Sequence, residues 1–128
     1  MLDTARHSQQ VDAVFALAPV IPVITIAAIV AAALDGHDLP ARRTLARFCA
    51  VLGSVAGDCA LVHGARTVVI AGGIVPRFVP FLRSSAFRER FLAKGRFAPL
   101  LERVAIHVIT HPQPGLLGAA TALRAKDL

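Results

Sequence analysis

Tryptophan and tyrosine are absent from this chain of 128 residues, cysteine appears twice, and eight acids face fourteen lysines and arginines. Each shortage removes a class of explanation. Without indole or phenol rings, stacking on nucleobases would fall to phenylalanine, and the phenylalanines recur at helical spacing, as core residues do. Cys49 and Cys59 are ten residues apart within one expected helix, so their side chains diverge and cannot pair without breaking it. Both read as small core residues of a reducing compartment. The few acids form no general acid and base pair, because Asp58, Glu89 and Glu102 fall on different expected elements and read as solvent or ion-pair residues. Metal ligation is equally thin. His107 and His111 are four apart, but one belongs to an expected strand and the other to the turn after it. Cys59 and His63 share a helical face yet lack a third ligand. Ser54 and Ser85 stand in no nucleophile motif.

What is present is apolar: 55% of the residues are hydrophobic, enough for one domain with a real core and enough to raise the question of a membrane. Ala13 to Leu34 carries no charge over 22 positions, which would reach across a bilayer. Pro19 and Pro22 interrupt it and leave twelve residues, Val23 to Leu34, the length of a buried helix. A secretory leader is the other reading, since "AAALDG" follows with small residues, but Asp3 and Asp12 stand where a leader is basic.

The net charge of +6 concentrates late in the chain. Seven bases lie between Arg77 and Arg103 against two acids, Glu89 and Glu102. Such a patch holds phosphates, of a nucleotide or of a nucleic acid, or it is the solvated face of helices, and the solvated face is the expectation.

The opening residues "MLDTARHSQQ" lack periodicity and read as a loose tail. Val23–Leu34 forms a short helix ended by "DG", with Gly36 in a left-handed cap. Asp38 caps the next helix, whose first turn carries Pro40. Along it Leu45, Phe48, Leu52, Val55, Cys59 and Val62 recur at three and four, predicting a core face. A second line, Gly53, Gly57, Ala60 and Gly64, predicts close approach of another backbone, because mid-helix glycine costs about 1 kcal/mol against alanine. "TVVIAGG" reads as a strand buried on both faces. Pro76 opens a helix, and Pro80, lacking the donor that would bond Pro76's carbonyl, predicts a bend or a start one turn late. "SSAFRERFLAKG" reads as a helix capped by Ser84 or Ser85 and ended by Gly95, followed by a shorter one in "FAPLLERV". "VAIHVIT" is a second strand, "HPQPG" a turn, and Pro114 begins a final helix. The predicted class is α/β, mostly helical with two parallel strands, and so small a sheet points to part of a larger domain.

"VVIAGGIVPRF" sets Gly72 and Gly73 at the carboxyl end of the first strand. Ligands collect there, because glycine lets them touch main chain and the next helix offers unpaired amides. Glycine used only for its torsion angles is the plainer reading. The succession "RRTLARFCAVLGSVAGDCAL", "VVIAGGIVPRF" and "FRERFLAKGRFAPLLERVAIHVITHPQPGLLGAATALR" resembles the closing part of the bacterial ATP-dependent glucokinases. Its most specific phrases are "IAGGIVPRF", "KGRF" and "HPQPGLLGA". The likeness runs from about Arg42 to Arg124, with a weaker echo in "ITIAAIVAAALDG".

That resemblance implies a partial hexokinase/actin-like ATPase domain. Residues 23–128 would be the C-terminal portion of a glucokinase large domain, and residues 1–22 a poorly matched N-terminal tail. It implies ATP with Mg, phosphoryl transfer to the 6-hydroxyl of glucose, and a cytoplasmic role at the entry to glycolysis. By the same resemblance Gly72 and Gly73 belong to the adenosine motif, and Gly115 and Gly118 lie on the final helix beside the nucleotide. The family's "DxGGT" phosphate loop, its aspartate base in an "ND" pair and its "EGGH" glucose segment have no counterpart here. Phosphoryl transfer rests on such groups, so no catalytic residue is expected in this chain. Glucose is then a partner only if a complementing chain or a homodimer supplies what is missing. Neither nucleic acid nor membrane is an expected partner; a small basic nucleic-acid-binding module and a membrane-associated protein are the alternative readings. Pro80 departs from the family, which continues its helix there, and Val23 to Val30 lacks the polar residues of an exposed face.

Overall fold

The computed structural model describes residues 20–126, with side chains from Ile26 onward. The expected tail therefore lies, as far as residue 19, outside the described residues. The chain divides between Leu45 and Ala46 into two compact units.

In the first unit, helix α1 spans Val20–Asp35. It begins three residues before the expected Val23 and takes Pro22 into its first turn, where amide donors have no helical acceptor and the missing N–H is harmless. Gly36, at φ +77°, stops it as expected. Helix α2 (Leu39–His63) then starts at an Asp38 cap: Oδ1 accepts the Ala41 amide at 3.0 Å, with Pro40 in the first turn.

Helix α2 ends on Gly64, at φ +59°. The Ala65 amide donates to Ala60 O at 2.9 Å and the Gly64 amide to Leu61 O at 3.2 Å, the paired closing bonds of a left-handed C-cap. The rest of the second unit is strand β1 (Thr67–Ile70), a 3₁₀ turn (Val75–Phe78), α3 (Val79–Ser84), α4 (Phe87–Leu92), a second 3₁₀ turn (Gly95–Phe97), α5 (Ala98–Glu102), strand β2 (Ala105–Val108) and α6 (Pro114–Lys126). The strands are parallel, with Thr67 opposite Ala105 and Ile70 opposite Val108. Three short helices make the crossover.

The two prolines act as their chemistry dictates. Pro76 sits in the 3₁₀ turn, and the α-helix begins one turn later, at Val79, with Pro80 in its own first turn. Ser85 accepts the Phe87 amide on its Oγ at 3.2 Å, although Ala86 is the capping position. Helix α4 stops at Leu92, short of Gly95, which instead opens the second 3₁₀ turn at φ +56°.

The core of this unit is Phe78, Phe91 and Leu101, sealed from solvent, with Cys49, Ile70, Val75, Leu82, Phe87 and Val104 around them. Phe87 stacks on Phe91 at 6.2 Å between centroids, and Phe48 meets Phe78 edge-on at 6.1 Å. Most of the phenylalanines are thus packing residues.

Helix α2 turns a different face inward from the one its larger side chains predict. Leu45 is buried and Leu52 half-buried, but Phe48, Val55, Cys59 and Val62 are exposed, Val62 at 81%. The packed line is the small one. A Cβ on Gly53 would collide with the Phe87 carbonyl oxygen, and one on Gly57 would sit 2.5 Å from the Phe91 carbonyl oxygen. Small side chains win this face because α4 approaches backbone to backbone, and a valine or phenylalanine there would hold it off. Beside the contact, Lys94 donates from Nζ to Ser54 O at 3.0 Å and pairs with Asp58 at 2.6 Å. Cys59, expected in the core, falls on the outer face; ten residues of helix set it about 80° in azimuth and about 15 Å along the axis from buried Cys49.

Strand β1 departs from expectation too. Only Ile70 is buried and Val69 is 55% exposed, because β2 is its one partner among the described residues and the described helices do not cover both of its faces.

Candidate functional site

Parallel pairing puts the carboxyl ends of β1 and β2 at the same edge. The ladder extends one bond past the strand end, where the Ile109 amide donates to Ile70 O at 2.9 Å. From this edge the chain leaves twice: after β1 through Ala71, Gly72 and Gly73, and after β2 through the turn that starts α6.

The first exit is held at both ends. Ile70 and Val75 are buried, and the 3₁₀ turn anchors Phe78 in the core. Between them Gly72 lies at φ +133°, a backbone state that side chains disfavour strongly. Both glycines are exposed, and a Cβ built on either would meet nothing within 4 Å. The main chain is therefore bare and open at the edge where ligands of parallel sheets gather. Gly72 needs its glycine for torsion; Gly73, with no such demand and no close neighbour, does not.

The second exit is organised by His111, whose Nδ1 accepts the Gln113 amide at 3.1 Å. Pro114 opens α6, whose first-turn amides have no helical acceptors. Gly115 and Gly118 are exposed, with nothing within 4 Å of an added Cβ. Gly72 and Gly73 directly follow β1, Gly115 and Gly118 lie on the helix that follows β2, and the described residues do not enclose any of the four.

The remaining candidates disperse. His107 stands on β2 opposite Val69, and His111 is engaged in its turn. Ser85 Oγ donates to Leu82 O at 2.7 Å. Arg96 lies over the Phe97 ring at 5.0 Å. Burial pushes the Cys49 thiol up, against a smaller opposing hydrogen bond from Ser85. The link of Lys94 to Asp58 and Ser54 had no sequence signal, since its members are far apart in the chain and belong to no motif. Helix α2 is the one described helix long and apolar enough to cross a membrane; its glycine line is occupied by α4.

A glucokinase family model matches residues 3–126. The glucokinase of Zymomonas mobilis is 50% identical over 94 residues, covering 73% of this chain and 29% of that enzyme. The glucokinase of Yersinia pestis is 48% identical over 99 residues, covering 77% of this chain and 31% of its own length. The crystal structure of a glucokinase from an Antarctic psychrotroph superposes with a TM-score of 0.69 at 39% identity, covering 78% of this chain and 31% of that one. The chain thus spans less than a third of the length of these relatives.

Proposed function

The chain belongs to the glucokinase family, and on that premise we propose that it forms the adenosine-side wall of a hexose-kinase ATP pocket. It works there with polypeptide that brings the phosphate loop, the catalytic aspartate and the glucose ligands. The observation that supports this reading is the open main chain at Gly72 and Gly73, hung between buried Ile70 and Val75 at the carboxyl end of a parallel pair. An adenosine lying on that segment touches backbone directly, and the start of α6, with Gly115 and Gly118, flanks it.

Mg-ATP supplies the phosphoryl group when bound. No three His, Cys, Asp or Glu side chains converge among the described residues, so these residues do not fit a protein-held ion, and groups for the metal would have to come from polypeptide beyond them. The contribution of this chain is orientation: it fixes the adenosine end so that the terminal phosphate reaches the 6-hydroxyl of glucose in line. Its place is the cytoplasm, at the first step of glucose use.

The test mixes this chain with the portion of the Zymomonas mobilis enzyme that it does not cover, and follows glucose 6-phosphate formed from glucose and Mg-ATP. Activity that neither piece shows alone is expected, with Gly73→Val raising KM for ATP. If the two pieces co-purify and yield no product, the reading is wrong.

A further inference from the structure

A groove of about 430 Å³ lies between α3, α4 and β2, and none of the four edge glycines lines it. Its apolar lining comes from Val79, Leu82, Phe87, Ile106 and Val108. The polar lining is Arg83, Arg88, His107 and Thr110, and no carboxylate is among it. Neither guanidinium has an ion-pair partner among the described residues. This is unlike Lys94, just after α4, which is held by Asp58 and the Ser54 carbonyl.

The arrangement arises from the break between the two helices. Arg83 sits in the last turn of α3 and Arg88 in the first turn of α4, and the Ser85 turn brings the chain round so that both side chains reach one cleft. Strand β2 has β1 as its one partner among the described residues, so its far side is left to line the groove with His107 and, just beyond the strand, Thr110. Two unpaired guanidinium forks present donors matched to phosphate oxygens, and a hydroxyl and an imidazole add further polar contacts. An apolar lining with a few convergent polar groups, at a volume within the usual small-molecule range, suits a ligand with a carbon body as well as a charge.

We propose that this groove binds a small organic phosphate monoester, with Arg83 and Arg88 holding the phosphate and the lining from Leu82, Phe87 and Ile106 taking the carbon body. The site is separate from the nucleotide reading above in that none of Gly72, Gly73, Gly115 and Gly118 lines it, although Val108 and Thr110 bring it to the same end of β2.

The experiment titrates the full chain with inorganic phosphate, glycerol 3-phosphate and a hexose 6-phosphate, following the His107 imidazole and arginine side-chain signals by NMR. Binding of an ester severalfold tighter than inorganic phosphate is expected, since only the ester fills the apolar part. Arg83→Gln and Arg88→Gln should each weaken it about tenfold, the usual worth of a charge-assisted contact. Arg83→Lys, which keeps charge but loses the fork, should fall between. Arg124→Gln, on α6 outside the groove, should change nothing; circular dichroism verifies that each variant is folded. Equal weakening by all four substitutions, or a duplex oligonucleotide displacing every ester, would identify diffuse basic attraction and overturn the proposal. So would an absence of saturable binding to the unmodified chain.

Discussion

Gly53 and Gly72 are the same residue put to opposite uses. At Gly53 the absence of a side chain is filled by protein, for α4 brings the Phe87 carbonyl into the space that a Cβ would occupy. At Gly72 nothing fills it: the backbone is turned to φ +133° and stands open. The first glycine is part of how this chain holds itself together, and the second stands on a surface that nothing among the described residues covers. The contrast extends to whole faces. Inside the α2–α4 contact everything is matched, down to Lys94 reaching Ser54 and Asp58. On the opposite side of α2, Val51, Val55 and Val62 are exposed, and on α6 so are Leu116, Leu117 and Leu123. The chain covers under a third of its relatives' length, and among the described residues these apolar faces stand uncovered.

The hardest blow to this contrast would come at Gly53. Mid-helix, Gly53→Ala should gain about 1 kcal/mol from propensity alone. The new methyl meets backbone, which cannot swing away like a side chain, and overpacking of this kind costs up to about 3 kcal/mol. A net loss near ~2 kcal/mol is expected from the urea midpoint. A more stable variant would mean that α4 is not held against this face.

Gly72→Ala should cost less, about 1 to 2 kcal/mol, and for a different reason: no atom is in the way, but the backbone state is strained for any side chain. Equality of Gly72→Ala with the wild type would show that the loop relaxes out of φ +133° freely. Gly118→Ala then supplies the opposite sign. It lies within α6 with nothing within 4 Å, so alanine should stabilise the isolated chain by up to about 1 kcal/mol, read as a higher midpoint. In the complemented enzyme the same methyl should raise KM for ATP. Destabilisation of the isolated chain would place a packed neighbour at α6.

Elements with a local cause were legible in the sequence. Asp38 and Gly64 bound α2 by cap chemistry, and Pro76 with Pro80 delays α3 by the donor each lacks. The glycine line of α2 announced a backbone contact through its propensity cost. Faces were less legible, because periodicity says that a stripe is apolar and not what covers it. The stripe through Phe48, Val55, Cys59 and Val62 has the pattern of a core and stands exposed, since what packs on α2 here is the smaller line. Strand β1 misled in the same way: its unbroken apolar run suits burial on both faces, and the described residues give it one strand partner. Phrases such as "IAGGIVPRF" pointed to Gly72 and Gly73 as candidates, whereas the groove of Arg83, Arg88, His107 and Thr110 draws on elements far apart in the chain and had no motif to reveal it.

The two thiols carry the contrast between closed and open faces into chemistry. Cys59 is exposed and should react with a thiol reagent in the folded chain, while Cys49, with no exposed surface, should react only through opening of the fold. Burial raises the Cys49 thiol above its ordinary value of 9.0, outweighing the hydrogen bond from Ser85. Above that pH the unfolded chain has released this proton and the folded chain still holds it, so the unfolded state binds fewer protons and stability falls as pH rises. The contribution is complete below 9.0 and is lost as pH climbs from there through the raised folded value. Urea midpoints measured across that window should decline less steeply in Cys49→Ala than in the unchanged chain. If the thiol reagent modifies Cys49 in the folded chain and spares Cys59, the outer face of α2 is the covered one, and the division between its two sides must be reversed.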